Sequence, residues 1–221
     1  MKNIIIQIQR EFIHYKQKEN ALKMEKYMKD LFTFYGIPSP LRKEIQQKYF
    51  KQLKWKNDAE LWQIIHYCWN ENAREMQYLA LDILIKYKKK ISFENIREIE
   101  YILCNKSWWD TVDTISAHIV GEIFLNDIDE KQNIIHSWLR SNNIWLQRAC
   151  IIHQLKYKNN VDEKVLENCI EYCILSKEFF INKAIGWALR EYSKKNPDYV
   201  RNILTRYNFS NLSKKEASKY I

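Results

Sequence analysis

The chain has 221 residues, 46% hydrophobic and 29% charged, and a net charge of +9. That much apolar material without a linker predicts one domain over residues 1–221 with a substantial core, and the basic balance points to a polyanionic partner. No apolar run approaches ~18 residues and no secretory leader precedes Asn3, so neither a membrane span nor export is expected, and a cytoplasmic monomer is.

Three Gly and three Pro are too few punctuators for a many-turned β fold, and helical spacing recurs from Asn3 to Lys195, which predicts an all-α chain of about twelve helices. In chain order, a helix over Ala21 to Tyr35 should end on Gly36 as its C′ residue, with Ile37-Pro38-Ser39-Pro40 as the following turn. Further on, Trp108, Val112, Ile115, Ile119 and Ile123 make one apolar stripe, and Trp109 and Asp113 lie together one step around from it. Asn196-Pro197 should end one helix and open the next, and Ser213 with Glu216 has the spacing of a capping box before the last helix.

A 35-residue period runs through the chain. Tyr78, Asp113, Arg148 and Lys183 occupy one repeat position; Gln77, Gln147 and Asn182 keep the same phase, as do Tyr87, Tyr157 and Tyr192. Each unit reads as a helix pair, and such a period built from helix pairs predicts an α-solenoid, a stack of HEAT-like antiparallel pairs whose equivalent positions line one curved face.

The chemistry-bearing residues exclude several classes. Cys68, Cys104, Cys150, Cys169 and Cys173 are odd in number and fall at apolar positions, reading as reduced core thiols. Cys169 and Cys173 are one turn apart, but no second pair completes a tetrahedral set, and the five His form no spaced pair, so no metal is expected. Without a Gly-rich phosphate loop, nucleotide hydrolysis lacks its parts, and no cofactor is expected. Between Arg140 and Ile221, 15 Lys and Arg face 8 Asp and Glu, and Lys183, Trp187, Arg190 and Lys194 fall at i, i+4, i+7 and i+11. A basic stripe carrying an aromatic suits phosphate and sugar contact, although a solvated helix face has the same pattern. Arg148 sits inside an apolar arc, where an unpaired guanidinium would be costly, so it is expected to reach into a groove toward an anion. For Asp113, two readings stay open: a salt bridge to a stacked neighbour such as Arg148, or a catalytic carboxylate. Trp55, Trp62, Trp69, Trp108, Trp138 and Trp145 read as packing residues, whereas Trp109 and Trp187 point away from the main stripes.

The blocks Lys106 to Asp113 (KSWWDTVD), Asn143 to Ala149 (NIWLQRA) and Lys177 to Tyr192 (KEFFINKAIGWALREY) resemble the signature blocks of the AlkD-type DNA glycosylases of the HEAT-like-repeat DNA alkylation repair family. The resemblance extends from the Met24 to Gly36 segment through Leu212 to Ala217. It implies a concave basic face that holds duplex DNA and a monofunctional glycosylase that excises N3- and N7-alkylated purines without base flipping, initiating base excision repair. Asp113 then matches the catalytic carboxylate, Trp109 and Trp187 the aromatic walls beside the sugar, and Arg148 a cation contacting the DNA backbone; Tyr27, Lys183 and Arg190 match further DNA contacts. Pro38 departs from the pattern, standing where relatives can carry a polar side chain. Alkylation at N3 or N7 makes the purine a cationic leaving group, so one carboxylate and two π faces suffice to stabilise an oxocarbenium-like sugar. The alternatives are a non-catalytic HEAT-repeat protein that binds distorted or branched DNA, and a scaffold for an acidic protein.

Overall fold

Apolar residues at helical spacing generate helices along the whole chain, and every named element among the described residues of the computed structural model is helical. The structure describes residues 1–126 and 128–221, with the side chains of Ile128 and Asp129 outside the description. Two compact units form, Met1–Lys86 and Tyr87–Ile221.

The first unit contains α1 (Lys2–His14), α2 (Lys18–Tyr27), α3 (Ser39–Phe50), α4 (Asp58–Asn70) and α5 (Arg74–Tyr87). In α1, Ile5, Ile8 and Phe12 form a single buried stripe. The helix expected to run to Tyr35 stops at Tyr27, and Lys29 and Asp30 take left-handed backbone angles (φ 59° and 58°). Met28, Phe34 and Ile37 are still buried, but from irregular chain. That chain is held by Glu75 of α5, fully buried, whose carboxylate accepts from the N–H groups of Tyr35 (3.0 Å), Gly36 (2.8 Å) and Ile37 (3.2 Å). A carboxylate satisfying three backbone donors replaces the helical bonds those residues would have made. Gly36 is therefore not a helix C′ residue; its φ of +86° and the Gln17 carbonyl crowding its Cβ direction still require glycine. Pro38 is the N-cap of α3 and Pro40 lies in its first turn, so the expected turn is the start of a helix.

The second unit contains α6 (Ile96–Cys104), α7 (Trp109–Ile115), a π-helical turn (Ser116–Val120), α8 (Gly121–Asn126), α9 (Ile128–Arg140), α10 (Ile144–Ile152), α11 (Glu163–Cys173), α12 (Phe179–Ser193), α13 (Pro197–Arg206) and α14 (Asn211–Ala217). One layer runs α7, α10, α12, α14, each packed on the next, while α9 packs on α11 in the other. Within this unit that is the α-solenoid arrangement of stacked helix pairs. Among the described residues, fourteen α-segments stand where about twelve were read, one extra break being the π turn. Val112, Ile115, Ile119 and Ile123 are buried as read. Trp108 is the extended N-cap of α7, its ring packed on Trp145 at 5.6 Å and edge-on to Phe180 at 4.9 Å.

The repeated amides have a common role. Gln77 donates to the carbonyls of Cys68, Trp69 and Glu71, Gln147 to Leu139, and Asn182 to Ser176 and Glu178. Gln77 and Gln147 satisfy carbonyls at the end of the preceding helix and Asn182 those of the linker between α11 and α12, so each clamps the turn inside its pair. Of the cysteines, Cys68, Cys150, Cys169 and Cys173 are buried, and burial pushes their thiols up, that of Cys173 to about 12. Cys104 departs from the core reading: it ends α6 exposed. Of the Trp residues assigned to packing, Trp62, Trp69 and Trp138 are buried, whereas Trp55, Trp108 and Trp145 are partly exposed. No described helix is long and apolar enough to cross a membrane.

Toward the C-terminus, Asn196 caps α13 through Tyr199 N–H and Pro197 opens it, as read. The capping box does not form. Ser210 is the N-cap of α14, and Ser213, already inside the helix, donates its hydroxyl to the Asn182 carbonyl at 2.9 Å. Glu216 lies at the helix end, facing α12. The two helices touch at Gly186, where a Cβ would fall 2.5 Å from Glu216 Cβ and 2.9 Å from the Ser213 carbonyl oxygen. Gly186→Ala should therefore push α14 off α12 and lower unfolding free energy by about 1–3 kcal/mol, measured by urea denaturation; an unchanged midpoint would show that α14 yields without loss.

Candidate active site

Asp113 and Arg148 lie on α7 and α10, one repeat apart, and stacking brings them into a bidentate ion pair. Arg148 Nε donates to Asp113 Oδ1 at 2.7 Å and Nη2 to Oδ2 at 2.8 Å, while Nη1 donates to the Phe180 carbonyl of α12 at 2.5 Å. Arg148 is 3% exposed. The anion it meets in this structure is thus Asp113, inside the chain, rather than one in a groove. Its guanidinium carbon also lies 6.0 Å from the Phe180 ring centre. Burial raises the Asp113 pKa above the usual carboxylate value, and the bonds and charge of Arg148 hold that rise back.

The Asp113 side chain keeps 16% of its surface open, and it lines a cleft of about 370 Å³ together with Trp187 of α12. Trp109 opens α7 one turn before Asp113 and is partly buried. The cleft also contains His118, Lys156 and Glu191, none singled out by sequence pattern. Glu191 had a legible signal, since it follows Trp187 by four residues on α12. His118 lies five residues after Asp113, and the π turn carries it onto the same face: with about five residues linked per hydrogen bond, i+5 follows i more closely than on an α-helix. Ser116, which opens that turn, donates its hydroxyl to the Val112 carbonyl at 2.6 Å. Burial, then the Lys156 and Lys88 charges, lower the His118 pKa, so the cleft holds a neutral imidazole near pH 7.

The remaining predicted residues fall elsewhere. Lys183 and Arg190 are on α12, and both bond the buried Glu216, with Lys183 Nζ 2.6 Å from Oε1 and Arg190 Nη1 2.5 Å from Oε2. Tyr27 ends α2 in the first unit and is 70% exposed. No cluster of three metal-ligating side chains exists among the described residues.

The family model described as DNA alkylation repair enzyme matches residues 8–221. Among solved structures, one from Enterococcus faecalis, described as a predicted DNA alkylation repair enzyme, is 33% identical, covering 93% of this chain and 96% of its own with a TM-score of 0.86. None of the curated proteins matches the chain.

Hydrogen bonds from Lys183 and Lys219 hold the Glu216 carboxyl down, to about 2 from an ordinary 4.5. A depressed carboxyl stabilises the fold fully above its unfolded value and loses that contribution as pH falls from about 4.5 toward about 2. Glu216→Gln should remove this part of the acid limb, so that the stability difference between wild type and variant narrows over that interval; a difference independent of pH would show that the ion pairs contribute nothing.

Proposed function

We propose that this chain, which belongs to the DNA alkylation repair enzyme family, is a monofunctional DNA glycosylase acting on N3- and N7-alkylated, cationic purines in duplex DNA, without base flipping. The observation that supports this reading most is the shared cleft: a carboxylate and an indole ring face one open space of about 370 Å³, and the carboxylate is fixed by a bidentate arginine.

In the reaction, the C1′–N bond breaks and its electron pair leaves with the purine, which becomes neutral. The positive charge passes to the sugar as an oxocarbenium ion. Asp113 opposes that charge, and the Trp187 and Trp109 rings add cation–π attraction that grows as the charge develops. A water polarised by Asp113 adds to C1′ and releases its proton to solvent, leaving an intact abasic strand. Arg148 acts as a positioning residue through Asp113, whose rotamer it locks with two parallel bonds. A shallow site suits a lesion that stays stacked while only its sugar is contacted.

The same ion pair also favours a second reading, in which Asp113 is purely structural and the chain binds distorted DNA without cutting it. Incubation with duplex containing 7-methylguanine and detection of free base separates the two. Asp113→Asn keeps the shape and removes the charge, so its single-turnover excision rate should fall by ~10² or more with binding nearly intact. Near-wild-type excision by the folded variant would falsify the assignment. The wild-type rate should be flat near neutral pH and fall on the acid side as Asp113 takes up a proton, above the ordinary 3.8 because burial raises it. Arg148→Met removes the opposing influence, so its acid limb should move to higher pH; a limb at the wild-type position would exclude the positioning role.

A further inference from the structure

Three cations converge on one buried carboxylate between α12 and α14. Glu216 Oε1 receives Lys183 Nζ at 2.6 Å and Lys219 Nζ at 2.9 Å; Oε2 receives Arg190 Nη1 at 2.5 Å and Lys219 Nζ at 2.9 Å. The Glu216 side chain is 6% exposed, whereas Lys183, Arg190 and Lys219 keep 39%, 21% and 45%. These four contacts use the acceptor capacity of the carboxylate. One cation would neutralise it; three leave an excess of two positive charges held together. Glu191 forms an ion pair with Arg190 Nε at 3.6 Å, but it also binds Lys194 at 2.7 Å, so counting both leaves the excess at two. Like charges gathered at this cost, on side chains that stay partly exposed, are arranged for an outside anion.

We propose that Glu216 is a positioning residue that assembles Lys183, Arg190 and Lys219 into a seat for a backbone phosphate of DNA. Lys183 and Arg190 flank Trp187 on α12, so a phosphate seated there would set the register of the strand against the cleft that holds Asp113. The inference rests on the chain acting on DNA. It adds Lys219 to the contacting set and gives the buried acid Glu216 an active part in binding a polyanion.

The test uses the sign of the effect. Glu216→Gln raises the net charge by one. If Glu216 merely neutralised the lysines and arginine, affinity for undamaged duplex would rise; if it positions them, affinity should fall about tenfold, the loss of an ordered charge-assisted contact. Lys219→Met, with folding verified by its urea transition, should reduce the slope of log K against log salt by about 0.9. Duplex affinity of Glu216→Gln equal to or above wild type, or a full salt slope in Lys219→Met, overturns the proposal, and the second variant decides the matter if the first does not fold. Excision of 7-methylguanine is read separately: a wild-type protein that binds duplex with a steep salt slope yet releases no base refutes the glycosylase reading while leaving the phosphate seat standing.

Discussion

The bond between Asp113 and Arg148 is the constraint on which the second unit depends. A guanidinium 3% exposed must have all its charge answered within the protein, and here three of its nitrogens are: two by the carboxylate and one by the Phe180 carbonyl. That single side chain therefore ties α7, α10 and α12 into one register. Trp108, Trp145 and Phe180, at or next to the first residues of those helices, pack as a ladder against one another. Removing either ionic partner leaves the other buried without its counter-charge, so the pair is a demanding structural element as well as the source of a fixed, ionisable group at the cleft.

Charge within the C-terminal third is less free than its count suggests. Arg206 is matched to Glu167, Arg201 to Asp198 and Lys194 to Glu191, all within 4 Å. Exposed pairs of this kind contribute little stability and cancel much of the local field. The excess becomes concentrated where cations outnumber acids around a buried centre, beside Trp187. Electrostatic specificity in this unit thus comes from placement, with one carboxylate fixed by an arginine at the cleft and another gathering three cations next to it.

The sequence by itself determined the all-helical class, the 35-residue phase, the buried stripe through Val112, Ile115, Ile119 and Ile123, and the Asn196-Pro197 boundary, because each is a local or strictly periodic property that survives without knowledge of neighbours. It also placed Asp113 and Arg148 at one repeat position, and left open whether they pair. Tertiary structure decided that they do. It ended α2 at Tyr27, where Glu75, some forty residues later, satisfies the backbone N–H groups a helix would have used. It turned a supposed N-terminal cap, Glu216, into the centre of an ion cluster, because Gly186 admits α14 close enough for the carboxylate to reach α12. It brought His118 into the cleft through a π turn that no residue spacing announces. In each case the deciding partner lies far away in sequence, and its effect is electrostatic or steric at short range, so it exists only once the chain has folded.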